Sequence, residues 1–312
     1  MKKAAIANSP KLNKAAQSDA DLAQMIAQVA QAVQADVILC ATETGAFPQN
    51  LHHLSNQLRI IAATSNAETY DTLTQIGLET IRLPVRVADR YKQIRYIISV
   101  ALRSAKISSG DLVICAVGRN LYPGEGNLVV LTDVEPGIEN LAVSDLIKLT
   151  DGIRPKALES AVTIACKIGR AARRGKRIGT IFMLGDSIKV LEGSKQLIPN
   201  PFHGHDEVLR RLTNSETHEA LVELSKLDGA FVVRGDGFIQ TAGAFLASAE
   251  AQVDLPAGLG ARHVAAAAVT KRTMATAIVV SATDGNVRIF SGGKMVLQID
   301  PNVAHGPITL DE

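Results

Sequence analysis

The regular alternation of helix-like and strand-like segments constrains the fold of this chain more than any other feature. Residues 19–35 space apolar side chains along one face of a helix, and residues 36–41 follow as a short apolar run typical of a buried strand. Strands are also predicted over residues 59–64, 80–85 and 111–117, and helices over residues 67–76 and 94–105. Strands and helices that alternate in this way predict an α/β architecture with largely parallel sheets.

The alternation resumes after a break near residue 150, so we predict two domains, residues 1–148 and 149–312. The length of 312 residues suits this division, because a domain averages about 150 residues. Pro155 predicts the start of a helix, and Thr213 with Glu216 forms a pattern typical of a capping box. Strands are predicted over residues 178–184, 229–233, 238–242, 275–281 and 287–290.

Composition and charge narrow the class of protein. Lys and Arg number 33 and Asp and Glu number 31, a balance that does not indicate a general nucleic-acid-binding surface. Cys40, Cys115 and Cys166 are widely spaced, which indicates neither a disulfide framework nor a zinc site and fits a reducing cytoplasm. The N-terminus lacks an apolar segment of the signal-peptide type, and no run approaches the roughly 20 apolar residues of a membrane helix. We therefore expect a cytoplasmic protein that acts without a membrane or a nucleic acid.

Asp228 is one candidate for chemistry, because it comes directly after a predicted helix and before a predicted strand. Gly229 next to it allows backbone or ligand to approach closely, and a carboxylate at such a place can hold a divalent metal ion against phosphates. A Gly-Asp-Gly turn at residues 235–237 predicts that a hairpin follows. The alternative is that Asp228 only turns the chain, since Asp-Gly is common in turns.

Arg262 and His263 form a second candidate, after Gly258 and Gly260 and before an alanine-rich run. Because alanines favour a helix, both side chains are expected at a helix N-terminus, where free backbone N–H groups and the helix dipole attract anions. An arginine and a histidine at that point can form a phosphate-binding site. The alternative is a surface arginine and a packed histidine.

The two candidates together resemble a known family. The Asp-Gly-Ala sequence at residues 228–230 and the Arg-His pair at residues 262–263 resemble the paired motifs of the diadenylate cyclase domain. The segments 179–186 and 196–202 occur in the order expected of the archaeal type of that domain. The resemblance covers residues 150–300 approximately and implies a mixed-sheet α/β domain.

The first half of the chain is similar to the C-terminal α/β domain of pyruvate kinase, which precedes the cyclase domain in proteins of the archaeal type. The similarity lies in residues 41–45, 60–64 and 110–114. It implies a parallel-sheet α/β domain without a pyruvate kinase active site. Thr42, Thr44 and Gly45 after the first strand either bind a phosphate or an effector, or cap a helix.

The resemblance to the cyclase domain implies a nucleotidyltransferase that condenses two ATP molecules into cyclic di-AMP and two pyrophosphates. It implies three catalytic residues. Asp228 binds a divalent metal ion, Mn²⁺ or Mg²⁺, and helps to deprotonate or orient the attacking 3′-hydroxyl, while Arg262 and His263 hold the phosphates. The implied ATP-binding residues are Leu227, Gly229, Ala230, Gly260, Arg262, His263 and Ser281. Because two ATP molecules must meet head to head, we expect a homo-oligomer, at least a dimer.

The chain departs from the family pattern near both motifs. Val264 stands where the family commonly has a second arginine, and Ala261 where it has a threonine. Ala282 follows Ser281 where the family often has a glutamate, and Asp284 comes two residues later. Two alternatives therefore stay open: a degenerate domain that binds ATP or cyclic di-AMP as a sensor, and a regulatory adaptor whose first half senses a metabolite.

Overall fold

The computed structural model describes residues 10–54, 58–117, 127–138, 141, 146–147, 152–176, 178–247, 253, 255–256 and 258–302. The chain divides into two compact units. One combines Met1–Leu83 with Ile94–Glu139, and the other combines Pro84–Gln93 with Asn140–Glu312. Each unit is built around its own sheet.

Most of the predicted helices and strands are present, together with elements that were not predicted, among them the helices over residues 46–54 and 187–192 and the strands over residues 194–196 and 294–299. The helices are α1 Pro10–Val33, α2 Ala46–Leu54, α3 Ala67–Gln75, α4 Arg90–Arg103, α5 Pro155–Ala171, α6 Ser187–Glu192, α7 Ser215–Leu224 and α8 Ala261–Arg272. The strands are β1 Val37–Ala41, β2 Ile60–Thr64, β3 Glu79–Arg82, β4 Val85–Val87, β5 Leu112–Val117, β6 Leu128–Asp133, β7 Thr180–Leu184, β8 Ser194–Gln196, β9 Ala230–Val233, β10 Ile239–Leu246, β11 Thr276–Val280, β12 Val287–Ser291 and β13 Lys294–Ile299.

The sheet of the first unit has five strands in the order β3-β2-β1-β5-β6. β1, β2, β3 and β5 run parallel, and β6 pairs antiparallel with β5 at one edge. Every residue of β1 and of β2 is buried, which explains why these strands appear in the sequence as continuous apolar runs. The predicted parallel α/β architecture of this half is confirmed.

The sheet of the second unit has eight strands in the order β4-β13-β12-β11-β7-β9-β10-β8. β7 and β9 are parallel, whereas the other neighbouring pairs are antiparallel, so the sheet is mixed as expected. The alanine-rich helix α8 buries Ala266, Ala267 and Val269 in a core with the side chains of β7, β9 and β11. This packing fixes the N-terminus of α8, because small side chains let a helix approach a sheet closely.

The single strand predicted over residues 80–85 is divided in the structure. β3 ends at Arg82 and belongs to the five-stranded sheet, whereas β4 begins at Val85 and pairs with β13 in the other sheet. Pro84 lies between the two strands and lacks the N–H group that a continuous strand would use. The apolar pattern of this stretch does not show which sheet each half joins.

Two helix starts show which polar side chains act as caps. Asn214, rather than the predicted Thr213, caps α7, because its side-chain oxygen accepts a hydrogen bond from the N–H of Glu216 at 3.0 Å. Before α2, the Thr42 hydroxyl accepts a hydrogen bond from the N–H of Gly45 at 2.8 Å. The contact of Thr42 agrees with the capping interpretation of that residue.

Of the two expectations, that the chain has no signal peptide and no membrane-spanning helix, the structure bears only on the second. Within the described residues, no helix is both long and apolar enough to cross a membrane. Residues 1–9, on which the expectation about a signal peptide depends, lie outside the described residues.

Candidate active site

A cavity of about 500 Å³ in the second unit brings most of the predicted site residues together. Its wall is formed by the turn before β9, part of β10, the N-terminus of α8 and the turn between β11 and β12. The predicted residues in the wall are Asp228, Gly229, Ala230, Gly260, Arg262, His263 and Ser281. Leu227 is the exception, since it is 44% exposed and does not line this cavity.

Asp228 and Arg262 meet at the edge of the cavity. Arg262 Nη2 lies 3.2 Å from Asp228 Oδ1, and 78% of the Asp228 side chain and 42% of the Arg262 side chain are exposed. Exposed ion pairs of this kind add little to folding stability. The pair therefore leaves a carboxylate and a guanidinium accessible to a ligand.

Gly229 is required by the backbone of the neighbouring strand. Its φ of +99° lies in the region that favours glycine. A Cβ atom at this position would lie 2.6 Å from the carbonyl carbon of Gly243 and 2.9 Å from the backbone nitrogen of Ala244. The room that the sequence analysis attributes to a ligand is thus occupied in part by β10, and this close approach fixes the position of Asp228.

The N-terminus of α8 opens into the cavity. Gly260 is the N-cap residue and makes no side-chain capping hydrogen bond, and Gly260, Ala261 and Arg262 all line the cavity. The first N–H groups of a helix have no acceptor within the helix and carry a partial positive charge. This arrangement suits an anion such as a phosphate group.

His263 lies behind this turn and is neutral at pH 7. The residue is only 5% exposed, and its Nε2 lies 3.4 Å from Arg288 Nη1. Burial lowers the pKa of His263 to about 4, with the positive charges of Arg288 and Arg262 acting in the same direction and the Asp284 carboxylate and Gly260 carbonyl opposing. His263 can therefore offer a hydrogen bond to a phosphate but adds no positive charge.

The turn between β11 and β12 contributes Ser281, Ala282 and Asp284 to the wall. The Ser281 hydroxyl accepts hydrogen bonds from the N–H groups of Thr283 and Asp284, both at 3.4 Å. The Asp284 carboxylate is bound by Arg288 and Asn286. Although burial opposes ionisation of Asp284, these hydrogen bonds hold its pKa well below the usual range.

Of the two carboxylates described in the cavity wall, Asp228 is the more exposed and can bind a divalent metal ion. No group of three or more His, Cys, Asp or Glu side chains that could hold a metal occurs in the part of the chain that the structure describes. Asp284 is committed to Arg288, which leaves Asp228. One carboxylate fits an ion such as Mg²⁺, which usually binds one or two carboxylates together with substrate phosphates and water.

Arg288 and Phe245 are two residues of this wall whose place there was not predicted from the sequence. Arg288 lies in β12 among apolar neighbours and is 7% exposed. Its spacing from Asp284, four residues across a turn, is the one signal in the sequence that indicates a buried ion pair. Phe245 lines the cavity and is 53% exposed. An exposed aromatic side chain in a cavity wall is typical of a binding surface. The sequence alone does not reveal it, because the position of β10 beside the cavity is known only from the structure.

The fold and the cavity define an α/β domain in which a helix N-terminus suited to an anion lies beside an exposed carboxylate. The family described as "DisA bacterial checkpoint controller nucleotide-binding" matches residues 167–295, and the pyruvate kinase α/β domain matches residues 20–132. A diadenylate cyclase of Methanocaldococcus jannaschii is 32% identical over 88% of this chain and 94% of that protein. A diadenylate cyclase of Haloferax volcanii is 36% identical over 71% of this chain and 80% of that protein. This chain belongs to the diadenylate cyclase family, a family of nucleotidyltransferases.

Solved structures also match parts of the chain. Pyruvate kinase of Cryptosporidium parvum, in complex with ADP, is 25% identical with a TM-score of 0.33 over 37% of this chain and 23% of that one. DacA of Staphylococcus aureus is 19% identical with a TM-score of 0.34 over 47% of this chain and 89% of that one. This chain thus spans about a quarter of the pyruvate kinase.

Proposed function

We propose that this protein is a diadenylate cyclase that joins two ATP molecules into cyclic di-AMP and releases two pyrophosphates. The observation that carries the proposal is the cavity in which the accessible carboxylate of Asp228 and the guanidinium of Arg262 lie at the open N-terminus of α8. The cavity offers a binding place for phosphates and a carboxylate that can bind a metal ion and orient the hydroxyl group of a substrate. Those are the groups that transfer of a nucleotidyl unit requires.

Arg262 and the N-terminus of α8 bind the triphosphate in this proposal. The 3′-hydroxyl oxygen of each ATP forms a bond to the α-phosphorus of the other, the bond from that phosphorus to the pyrophosphate oxygen breaks, and the hydroxyl proton passes to the Asp228 carboxylate or to water. The pyrophosphate is already a good leaving group, so the protein contributes mainly by positioning the reactants and by balancing charge. Arg262 carries a permanent charge and a planar set of donors suited to phosphate oxygens.

Asp228 holds a divalent ion, Mn²⁺ or Mg²⁺, and orients the attacking hydroxyl. When bound, such an ion neutralises phosphate charge as the new bond forms. Asp228 forms an ion pair with Arg262. Binding of ATP gives the guanidinium a phosphate partner and releases the carboxylate for the ion and the hydroxyl.

The reaction needs two copies of the chain. Cyclic di-AMP is symmetric, and one Asp228 with one Arg262 supplies groups for one ATP, so two half-sites face each other across a two-fold axis. Specific activity should therefore rise with protein concentration where pairing is limiting. An Asp228→Asn subunit mixed with an Arg262→Ala subunit should stay nearly inactive, because no intact pair of half-sites forms. Activity that is independent of concentration in a strict monomer contradicts this arrangement.

The three thiols support the cytoplasm as the place of the reaction. Cys40, Cys115 and Cys166 are all buried and free, and burial raises the pKa of each thiol. Free thiols fit a reducing compartment.

A sensor that binds nucleotide without converting it is a second candidate, because Ala282 puts a methyl group in the wall where the family often has a carboxylate. Purified protein incubated with ATP and Mn²⁺ or Mg²⁺, with chromatography of the products, distinguishes the two. We expect cyclic di-AMP to form and EDTA to prevent it. Tight binding of ATP or cyclic di-AMP without any product supports the sensor instead.

A further inference from the structure

The turn between β11 and β12 carries a buried arginine that the proposed reaction does not use. Nη2 of Arg288 donates to Oδ2 of Asp284 at 2.6 Å, and Nη1 donates to Oδ1 of the same carboxylate at 3.3 Å. Nε donates to Oε1 of Gln298 at 3.1 Å. Because a bidentate contact and a third hydrogen bond restrain the planar guanidinium, Arg288 has one well-defined orientation.

The restrained guanidinium faces the ring of His263, with Nη1 of Arg288 3.4 Å from Nε2. An arginine carries only donors and stays protonated, so Nε2 must be the acceptor in this contact. A neutral imidazole that accepts at Nε2 carries its proton on Nδ1. The contact therefore selects one tautomer of His263.

Nδ1, the second ring nitrogen, is buried, and no group in the described part of the chain forms a hydrogen bond with it. The ring belongs to the first turn of α8, and although the carbonyl of Gly260 at the N-cap favours a proton on the ring, it does not form a hydrogen bond of ordinary geometry with Nδ1. A buried N–H group without an acceptor is costly, and such groups call for a functional explanation. A phosphate oxygen at this helix N-terminus has the chemistry of the missing acceptor.

We propose that Arg288, restrained by Asp284 and Gln298, is a positioning residue that fixes His263 as a neutral ring whose Nδ1–H donates to a phosphate oxygen of ATP. The proposal rests on the proposed function, since ATP brings the phosphate. It gives Asp284 the role of orienting Arg288 rather than that of a metal ligand. The charged groups that face the ring are Arg288 from β12, Arg262 from α8 and Asp284 from the turn.

Nitrogen NMR of protein labelled with ¹⁵N-histidine tests the tautomer without any measurement of activity. The signals of His263 are identified by their loss in His263→Gln. At pH 7 we expect a protonated Nδ1 and an unprotonated Nε2. A ring protonated on Nε2, or a cationic ring at that pH, overturns the proposal, and this result needs no variant of Arg288 to fold.

Two variants separate positioning from a general effect on structure. Arg288→Met removes the donor, so the His263 ring should lose its preference for the Nδ1 proton and titrate at higher pH than in the wild type. Arg173→Met is the matched control, because Arg173 contacts the same turn through the carbonyl of Asp284 and the side chain of Asn286. The control should leave the His263 signals unchanged. An equal change in both variants overturns the positioning role.

The proposed hydrogen bond from Nδ1 of His263 to a phosphate oxygen is tested by adding ATP without metal to the Asp228→Asn protein. Adenosine, which has no phosphate, is the control ligand. The Nδ1 signal of His263 should shift with ATP and not with adenosine. In active protein, Arg288→Met should lower kcat/KM about tenfold, mostly through KM, as expected for one lost hydrogen bond to phosphate. ATP that binds without moving the Nδ1 signal overturns the phosphate contact. Failure of ATP to bind at all counts against the proposed function, and the tautomer is still decided by the wild-type spectrum.

Discussion

Replacement of Gly229 by alanine tests whether the approach of β10 positions the candidate active site. An alanine at φ +99° costs about 1–2 kcal/mol of backbone strain. The added Cβ would also lie 2.6 Å from the carbonyl carbon of Gly243, which is backbone and cannot move aside as a flexible side chain can. Overlap in a well-packed region costs a further 1–3 kcal/mol approximately. We expect Gly229→Ala to lower the free energy of unfolding by roughly 2–5 kcal/mol.

Gly204→Ala is the matched control, because Gly204 has a φ of +78° in the same unit and an added Cβ there meets nothing within 4 Å. This variant should lose only the strain contribution of about 1–2 kcal/mol. Thermal and urea unfolding of both variants measure the difference, and each 1 kcal/mol corresponds to about 2–4 °C for a unit of this size. Equal losses in the two variants refute the reasoning, since they show that contact with β10 does not limit the position of Gly229.

Three further predictions concern charge in the second unit. Arg262→Ala should raise the KM for ATP and slow the reaction, because the helix N-terminus alone offers about half a positive charge. Arg272→Ala at the other end of α8 is the control. Equal effects of the two variants on KM would contradict the phosphate-binding role of Arg262. Val264 is 36% exposed and does not line the cavity, so Val264→Arg should fold and keep the wild-type cyclase activity, whereas unfolding would show that the position is core. Burial opposes ionisation of Asp236, but hydrogen bonds from Arg234, the Phe238 N–H and Arg211 hold its pKa at about 2, below the usual 3.8. Its contribution to stability, at most about 2 kcal/mol, is therefore present above pH 4 and lost between about pH 4 and pH 2. Urea unfolding of wild type and Asp236→Asn at pH 6 and pH 3 should show the difference shrinking in acid, and a difference that is constant with pH contradicts the assignment.

The apolar pattern predicted the elements that lie inside the sheets. β1, β2 and β5 are continuous apolar runs in the sequence because both faces of those strands are buried. The pattern failed at Val85–Val87 and Lys294–Ile299, the pair formed by β4 and β13. Three residues give too short a period to recognise, and the pairing joins segments that are far apart in the chain.

The sequence predicted which residues lie together in the cavity better than it predicted the role of each residue there. Asp228, Arg262 and His263 lie together because their motifs sit at the ends of packed elements. The role of Gly229 depends on the backbone of β10, and the neutral state of His263 depends on its burial and then on Arg288. Contacts between elements that are far apart in the chain leave no periodic signal, so they required the structure.

Turnover by Asp228→Asn tests the central claim, that this cavity makes cyclic di-AMP, most directly. The variant removes the exposed carboxylate that pairs with Arg262 in the cavity wall, and Asp206→Asn makes the same change at an exposed position outside the cavity. Both proteins should unfold like the wild type, and cyclic di-AMP and pyrophosphate are quantified with ATP and Mn²⁺ or Mg²⁺. We predict that Asp228→Asn loses at least about a hundredfold in turnover, the scale of one lost electrostatic group, while Asp206→Asn keeps the wild-type rate. Synthesis of cyclic di-AMP by Asp228→Asn at the wild-type rate would contradict the account.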